Sequence, residues 1–587
     1  MHCFSVWAPD ATLVELDLHT YDGANRVSMD RSEGGWWRHD GQVGAGTDYA
    51  YRIDGGPATP DPRSSWQPQG VHGPSRVFDH SAHRWDDQDW RGPQEGAGVL
   101  GGLVYELHVG TFTGQGTLDA AAAHLDHLVD LGVDVIELMP LAAYPGEFGW
   151  GYDGVHPYAV HEPYGGPAAL QRFVDRAHQR GIGVCLDVVY NHLGPSGNYL
   201  SRFGPYFTDK HHTPWGQAVN LDDEGSTQVR RWILDNALRW FRDFHVDALR
   251  LDAVHELKDD SPRHVLAQLS DETAALSDAL GRPLALIAES DQNDPRTVEP
   301  TSQGGLGMTA QWDDDMHHAL HSALTDEQEG YYADFGSLDA LATTLTRVFL
   351  HDGRWSTFRG ADWGRPVDPL THDGRRFVGY LQTHDQVGNR ARGDRIGSLL
   401  TPGQQAIGAA LVMTSALTPM LFMGQEWGAS TPWMYFTDFE DRELGQAVSE
   451  GRRREFAAHG WDAGQVPDPQ AHSTRDASVL LWGERDEPEH QRMLDWHRAL
   501  VAERRRSKEL TDGRLDAVQV DVADDEGWLV VRRGALRLVC NLGRQPVSVP
   551  LDAMTAHTVL AFDPVPRQVT DGSIVLGGHG VALLRVE

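Results

Sequence analysis

Cysteine is scarce in this chain: Cys3, Cys185 and Cys540 are the only three in 587 residues. They are odd in number and far apart, which excludes a disulfide framework and the paired spacing of a zinc site. A reducing compartment, the cytoplasm, is the expected location. Positive charge is also short, with 50 basic residues against 85 acidic ones and a formal charge of −35. That balance disfavours nucleic acid and anionic membrane as partners and suits a neutral substrate better than a phosphorylated one. Long apolar runs are missing. The longest, Leu411 to Met423, is broken by Thr and Ser and is too short to span a bilayer. No basic stretch followed by an apolar one precedes "FSVWAPD", so no leader is expected. Tandem repeats and low-complexity tracts are absent too.

What is present is pattern. Residues 1–90 alternate apolar and polar with period two. In "LVELDLH", Val14, Leu16 and Leu18 oppose Glu15, Asp17 and His19, and "WWRHDGQV" and "DYAYRID" repeat the rhythm between turns. A small β-sandwich is predicted there. Arg91 to Gly102, Gly-rich with a proline, reads as a linker. From Leu103, short apolar strands alternate with longer amphipathic segments. The strand candidates are "LVYELH", "VDVIELMP", "GVCLDVVYNH", "DALRLDAV", "PLALIAES", "GMTAQWDDD", "FVGYLQTHD" and "TPMLFMGQE". Helix candidates such as Thr117 to Leu131 and Gln228 to Phe244 lie between them. This count predicts a (β/α)8 barrel over residues 91–512. Strands separated by turns return over 513–587, from "WLVVRR" to "VALLRVE". The expected fold class is therefore α/β: a (β/α)8 barrel with an N-terminal β-sandwich domain and a C-terminal antiparallel β domain.

Charges at the strand ends carry the chemistry. In "DALRLDAVHEL", Arg250 and Asp252 are two apart in a strand and share a face, while Leu249 and Leu251 point the other way. "LIAES" brings Glu289, and "LQTHD" brings Asp385, to the ends of two further strands. One carboxylate at a strand end is usually a cap or an ion pair; three together are hard to place in a structural role. Glycosidic cleavage needs one carboxylic acid to protonate the leaving oxygen and a second carboxylate as nucleophile or base. A pocket that separates their pKa values serves both, and a neighbouring cation keeps the nucleophile ionised. Asp252 beside Arg250 fits the nucleophile, and Glu289 among apolar neighbours fits the acid. His192 and His384 are placed to bond sugar hydroxyls. Asp187 and Asn191 share a face and either hold Arg250 or line the site. His255 either faces the leaving group or starts the next loop. Aromatic rings stack on sugar faces, and Trp150, Tyr152, Trp215 and Trp427 are candidates in loops, Tyr152 the best placed. "WDDD" (Trp312 to Asp315) reads as a solvated or hydroxyl-binding loop rather than a metal site.

"DVVYNH", "LRLDAV", "IAES" and "QTHD", in this order, resemble the four signature regions of the α-amylase clan of glycoside hydrolases. The resemblance implies Asp252 as nucleophile, Glu289 as general acid/base and Asp385 as stabiliser of the distorted sugar. It also implies Arg250, His192 and His384 as subsite residues, and a retaining mechanism through a glycosyl-aspartate. Longer stretches, among them "YELHVGTFT", "GWGYDGV", "DFHVDALRLDAVHEL" and "THDQVGNRARGDR", resemble the clan's maltooligosyltrehalose trehalohydrolases nearly end to end. Carried over, the substrate is maltooligosyl trehalose, a neutral oligosaccharide, cut at the α-1,4 bond next to its terminal trehalose. No cofactor is implied, and the segment after "YNH" lacks the clustered acids of an amylase calcium site. Monomer and homodimer stay open. The rivals are a branching or debranching enzyme of the same clan and an inactive amylase-like binding scaffold. Branching enzymes usually have an acidic residue directly after the stabilising aspartate, whereas here Gln386, itself a substrate-binding candidate, follows Asp385. The scaffold predicts a damaged triad, and all three carboxylates are present.

Overall fold

The computed structural model describes residues 2–20, 23–458, 465–569 and 571–587. Eight parallel strands close into a barrel in sequential order: Val104–Leu107, Val135–Leu138, Gly183–Val188, Ala248–Leu251, Ala285–Ala288, Ala310–Trp312, Phe377–Tyr380 and Thr418–Phe422. These are numbered one to eight below. Each is buried along its whole length, as parallel strands between a filled interior and an outer ring of helices must be.

Alternation sorts each strand's side chains. Val104, Val135, Cys185, Ala248, Ile287, Val378 and Met420 pack together inside the barrel, while Leu249 and Leu251 join the outer core against the helices. Two residues further along strands one to four the interior turns polar, with Glu106, Glu137, Asp187 and Arg250 at 3% exposure or less. The bottom of the cylinder is therefore dry packing, and charge accumulates toward its C-terminal mouth.

The Gln228–Phe244 helix is observed as Ser226–Asp243, burying Val229, Trp232, Ile233, Trp240 and Phe241. The expected Thr117–Leu131 helix is two pieces, Leu118–Ala122 and Leu125–Leu131. The break falls at His124, whose ring stacks on Trp482 at 3.9 Å, a tertiary contact that outweighs local helix propensity. The Gly-rich linker is firmly packed. Trp90 Nε1 donates to Asp247 at 2.8 Å, and Pro93 lies so close beneath strand three that a Cβ on Gly183 would come 2.4 Å from its ring.

At the N-terminus a three-stranded and a four-stranded antiparallel sheet face each other, with Phe4 and Tyr49 edge to face at 4.9 Å between them. Val14, Leu16 and Leu18 are buried as the alternation requires. Asp17, expected outward, is also buried, because Arg26 and Arg52 clamp its two oxygens at 2.7 and 2.6 Å. This unit is seated on the barrel domain: Trp7 packs edge-on to Tyr206 at 5.5 Å, and Arg63 pairs with Asp235 at 2.8 Å. The C-terminus forms a six-stranded antiparallel sheet and a two-stranded one between Val518 and Val586. Arg533 ties the larger sheet to the barrel by donating to the Thr414 carbonyl at 2.9 Å. Among the described residues, no helix is long and apolar enough to cross a membrane.

Candidate active site

Arg250 is the hub of the barrel mouth. It is fully buried, rests over the Trp312 ring at 4.3 Å, and reaches Asp187 at 2.8 Å, Asp252 at 3.0 Å and Glu289 at 3.8 Å. A guanidinium bridging several carboxylates inside a wall is the arrangement arginine's rigid fork allows. Strand four ends at Leu251, and the chain then turns sharply: Ala253 adopts φ +37, a left-handed conformation that a residue with a Cβ rarely takes. That turn aims the Ala253 N–H at Glu289, which accepts it at 2.5 Å. Asn191 donates to the other oxygen of Asp252 at 3.2 Å. Two carboxylates from neighbouring strands thus share one cation and one turn.

Their surroundings differ. Burial drives the Glu289 carboxyl up to about 8; Arg250 opposes this, while Asp252, Asp314 and Asp385 add to it. Glu289 therefore holds a proton at neutral pH. Asp252 faces Asn191 and Arg250 directly.

His384 sits on the far side, fully buried. Its Nδ1 donates to Glu106 Oε1, and its backbone N–H donates to Glu106 Oε2 at 3.0 Å. Burial works against the imidazolium, but Asp385 and Glu106 outweigh it and lift His384 to about 9. Its Nε2 then points at the Tyr152 hydroxyl at 2.8 Å and at Asp385 at 3.4 Å. The Tyr152 hydroxyl donates a hydrogen bond to Asp187 at 2.7 Å. The Asp385 side chain is the most exposed of the three strand-end carboxylates, at 43%.

A cavity of about 340 Å³ opens over these groups, lined by Tyr152, His192, Trp215, Asp252, His384 and Asp385 among others. Trp215 is half exposed and lies flat on His192 at 4.1 Å. His192 was expected to donate to sugar hydroxyls; its Nε2 instead donates to the Tyr152 carbonyl at 3.0 Å, and burial lowers its pKa. The ring is neutral, and Nδ1 is left as an acceptor. Trp150 lines the cavity but is largely buried, stacked on Trp433 at 4.5 Å with Nε1 bonded to the Met434 carbonyl.

Four expectations shift. Gln386 is turned into a capping box, its side-chain oxygen taking protons from Thr383 N and Oγ1 at 2.8 and 2.6 Å. His255 lies off the cavity wall, within 3.7 Å of Asp291. Trp427 is fully buried against Trp482 and His127, far from any sugar-binding role. "WDDD" is not a solvated loop either. Trp312 floors the site, Asp313 caps the helix Asp314–Thr325, and Asp315 is buried, accepting from Leu350 N, His351 N and Asn293.

Sequence reasoning missed Glu106 and Glu137, register partners on strands one and two. Both oxygens of Glu137 are buried without a hydrogen bond, and burial, with Glu106 adding, raises it to about 8, so it stays neutral. The available signal was a lone glutamate inside each of two apolar strands. Elsewhere, His211, Asp222 and Asp260 converge with ligand-like spacing. Lys210 already reaches Asp222 at 2.7 Å and Asp260 at 3.9 Å, supplying the positive charge these acids need.

Residues 83–215 match the family model described as "Alpha amylase, catalytic domain", and 513–583 match a domain of unknown function. A malto-oligosyltrehalose trehalohydrolase of Mycobacterium tuberculosis is 48% identical over 99% of both chains. One from Rhizobium sp. (strain M-11) is 49% identical over 96% of this chain and 94% of its own. A crystal structure of a Salmonella typhimurium protein described as an alpha amylase superposes with a TM-score of 0.89 at 36% identity, covering 99% of this chain and 97% of that one.

Proposed function

The chain belongs to the malto-oligosyltrehalose trehalohydrolase family of α-amylase-type glycoside hydrolases, and from that premise we propose how its barrel mouth does the work. The enzyme hydrolyses the α-1,4-glucosidic bond next to the terminal trehalose of maltooligosyl trehalose, releasing trehalose and a shortened maltooligosaccharide. Asp252 attacks C1 of the sugar lying over it. Glu289 gives its proton to the leaving oxygen, and a glycosyl ester forms on Asp252 as trehalose departs. Glu289, now a carboxylate, takes a proton from water, whose oxygen attacks C1 and frees Asp252. Two inversions give net retention.

Asp385 and His384 grip the hydroxyls of the same sugar and favour its distorted form, with Tyr152 closing the floor and Trp215 at the rim. Asn191 and Arg250 hold the two oxygens of Asp252 and aim them. The observation that carries this reading is the shared guanidinium: Arg250 touches both Asp252 and Glu289, and burial raises the Glu289 carboxyl against its pull.

The test is to offer maltohexaose and maltotetraosyl trehalose side by side and identify the products. Rapid release of trehalose from the second, with little hydrolysis of the first, is the expected result. Comparable cleavage of both would make the enzyme a general amylase, and new α-1,6 branches would make it a transferase.

A further inference from the structure

Asp153 follows Tyr152 in the loop after strand two and lines the same cavity as Asp252 and Asp385. The loop on either side of it is held from several directions. Trp150 Nε1 donates to the Met434 carbonyl at 3.0 Å, His192 Nε2 to the Tyr152 carbonyl at 3.0 Å, and Gly194 N to the Gly154 carbonyl at 3.2 Å. Gly194 comes so close that a Cβ there would fall 2.1 Å from the Asp153 carbonyl oxygen. The Asp153 carboxylate has no such support. Among the described residues no hydrogen bond or ion pair reaches it, and burial alone acts on it, raising its pKa to about 6. Its oxygens are not sealed from solvent, so on a loop otherwise held in place they face the cavity free to accept from the donors of a ligand there.

The barrel's order says which part of the ligand. Glu289 ends strand five, and strand one stands diametrically opposite, flanked by strands two and eight. The leaving group must lie on the side of the acid that protonates it, so the retained chain runs toward strands one, two and eight. Asp153 follows strand two. Tyr435 and Thr437, which line the cavity beside it, follow strand eight. Tyr435 stands edge-on to Trp150 at 5.2 Å with Arg452 over its ring at 5.4 Å, so only the face away from Arg452 can meet a sugar.

Resting on the functional reading above, we propose that Asp153 is a specificity-determining residue that binds the second glucose of the retained maltooligosaccharide, one unit beyond the sugar over Asp252. A carboxylate is acceptor-only and takes two donors side by side, which matches vicinal hydroxyls of a neutral sugar and repels a phosphorylated one.

Binding measured by calorimetry in the Glu289→Gln enzyme tests this, with and without Asp153→Ala. Glucosyl trehalose reaches only the sugar position over Asp252, whereas maltotriosyl trehalose extends past it. The longer ligand's affinity advantage over the shorter should fall about tenfold to hundredfold in Asp153→Ala, the worth of hydrogen bonds to a charged acceptor. The shorter ligand also reports whether the variant is folded. An advantage that stays within about twofold of its original value overturns the proposal. Failure of the functional reading shows separately, as absence of trehalose among the unaltered enzyme's products, and does not move the affinity ratio.

Discussion

His384 donates its Nδ1 proton to Glu106, a carboxylate sealed in the barrel wall on strand one. Asp385 and this pair together keep His384 an imidazolium up to about pH 9, so that Nε2 remains a donor toward Tyr152, Asp385 and the substrate. Replacing Glu106 by Gln removes the counter-charge but keeps the shape. In histidine-labelled protein followed by NMR, His384 should then lose its second proton at clearly lower pH than in the unaltered enzyme. The sign for stability follows from a raised pKa. The pair's contribution is complete below the unfolded value near 6.5 and is lost as the pH climbs through about 9. The thermal midpoint of Glu106→Gln should therefore trail the unaltered enzyme most at pH 6 and converge with it above pH 9. An unchanged His384 titration would remove Glu106 from this role.

Glu289 is protonated below about pH 8 because burial disfavours its ionised form. A general acid is active in that form, so kcat/KM should fall as the pH rises through about 8. Glu289→Gln should lower kcat by about 10²–10⁴-fold and flatten the alkaline limb. Persistence of that limb in the variant would assign it to another group.

Much of this was legible in the sequence, for a definite reason. Period-two alternation places Arg250 and Asp252 on one strand face, and strands of a closed barrel end on a common rim, so Glu289 and Asp385 follow. What was not legible depends on contacts distant in sequence. Trp427 reads as a loop residue, yet Trp482 and His127, from elements far along the chain, bury it. Gln386 reads as a site residue because it follows Asp385, but the start of a helix claims its amide. Glu106 and Glu137 looked like ordinary strand residues until the register set them side by side. The hairpin Arg354–Ser356 and Ala361–Trp363, between strands six and seven, carries too short a pattern to be read. In the structure it packs beside the site, with Trp363 Nε1 donating to the Asp291 carbonyl at 2.7 Å.

The two tryptophans separate site from core. Trp215 is half exposed on His192, so Trp215→Ala should raise KM several-fold with little change in melting temperature. Trp427 is fully buried, so Trp427→Ala should cost about 3–5 kcal/mol of stability while leaving the folded enzyme's KM near its original value. Thermal unfolding beside steady-state kinetics checks both. A KM effect at 427 without loss of stability would reverse the assignment.

Arg250 is the only cation in contact with Asp187, Asp252 and Glu289 among the described residues. Arg250→Leu strands those carboxylates, and removing one partner of a buried ionic group costs about 3–5 kcal/mol. Arg250→Lys keeps the charge, but its compact head cannot bridge all three. Melting temperature should fall in the order unaltered, Lys, Leu, with kcat reduced in both variants. A fully active Arg250→Lys enzyme would contradict the hub role.

The central claim is that Asp252 forms the bond to C1 while Glu289 supplies the proton. Maltosyl fluoride carries a leaving group that needs little acid help, so Glu289→Gln should form the ester with it but resolve it slowly. Peptide mass spectrometry after rapid quenching should find a maltosyl group on the peptide containing Asp252, at that residue. The same adduct on Asp385 or Asp187, or none while fluoride is released, would contradict the account.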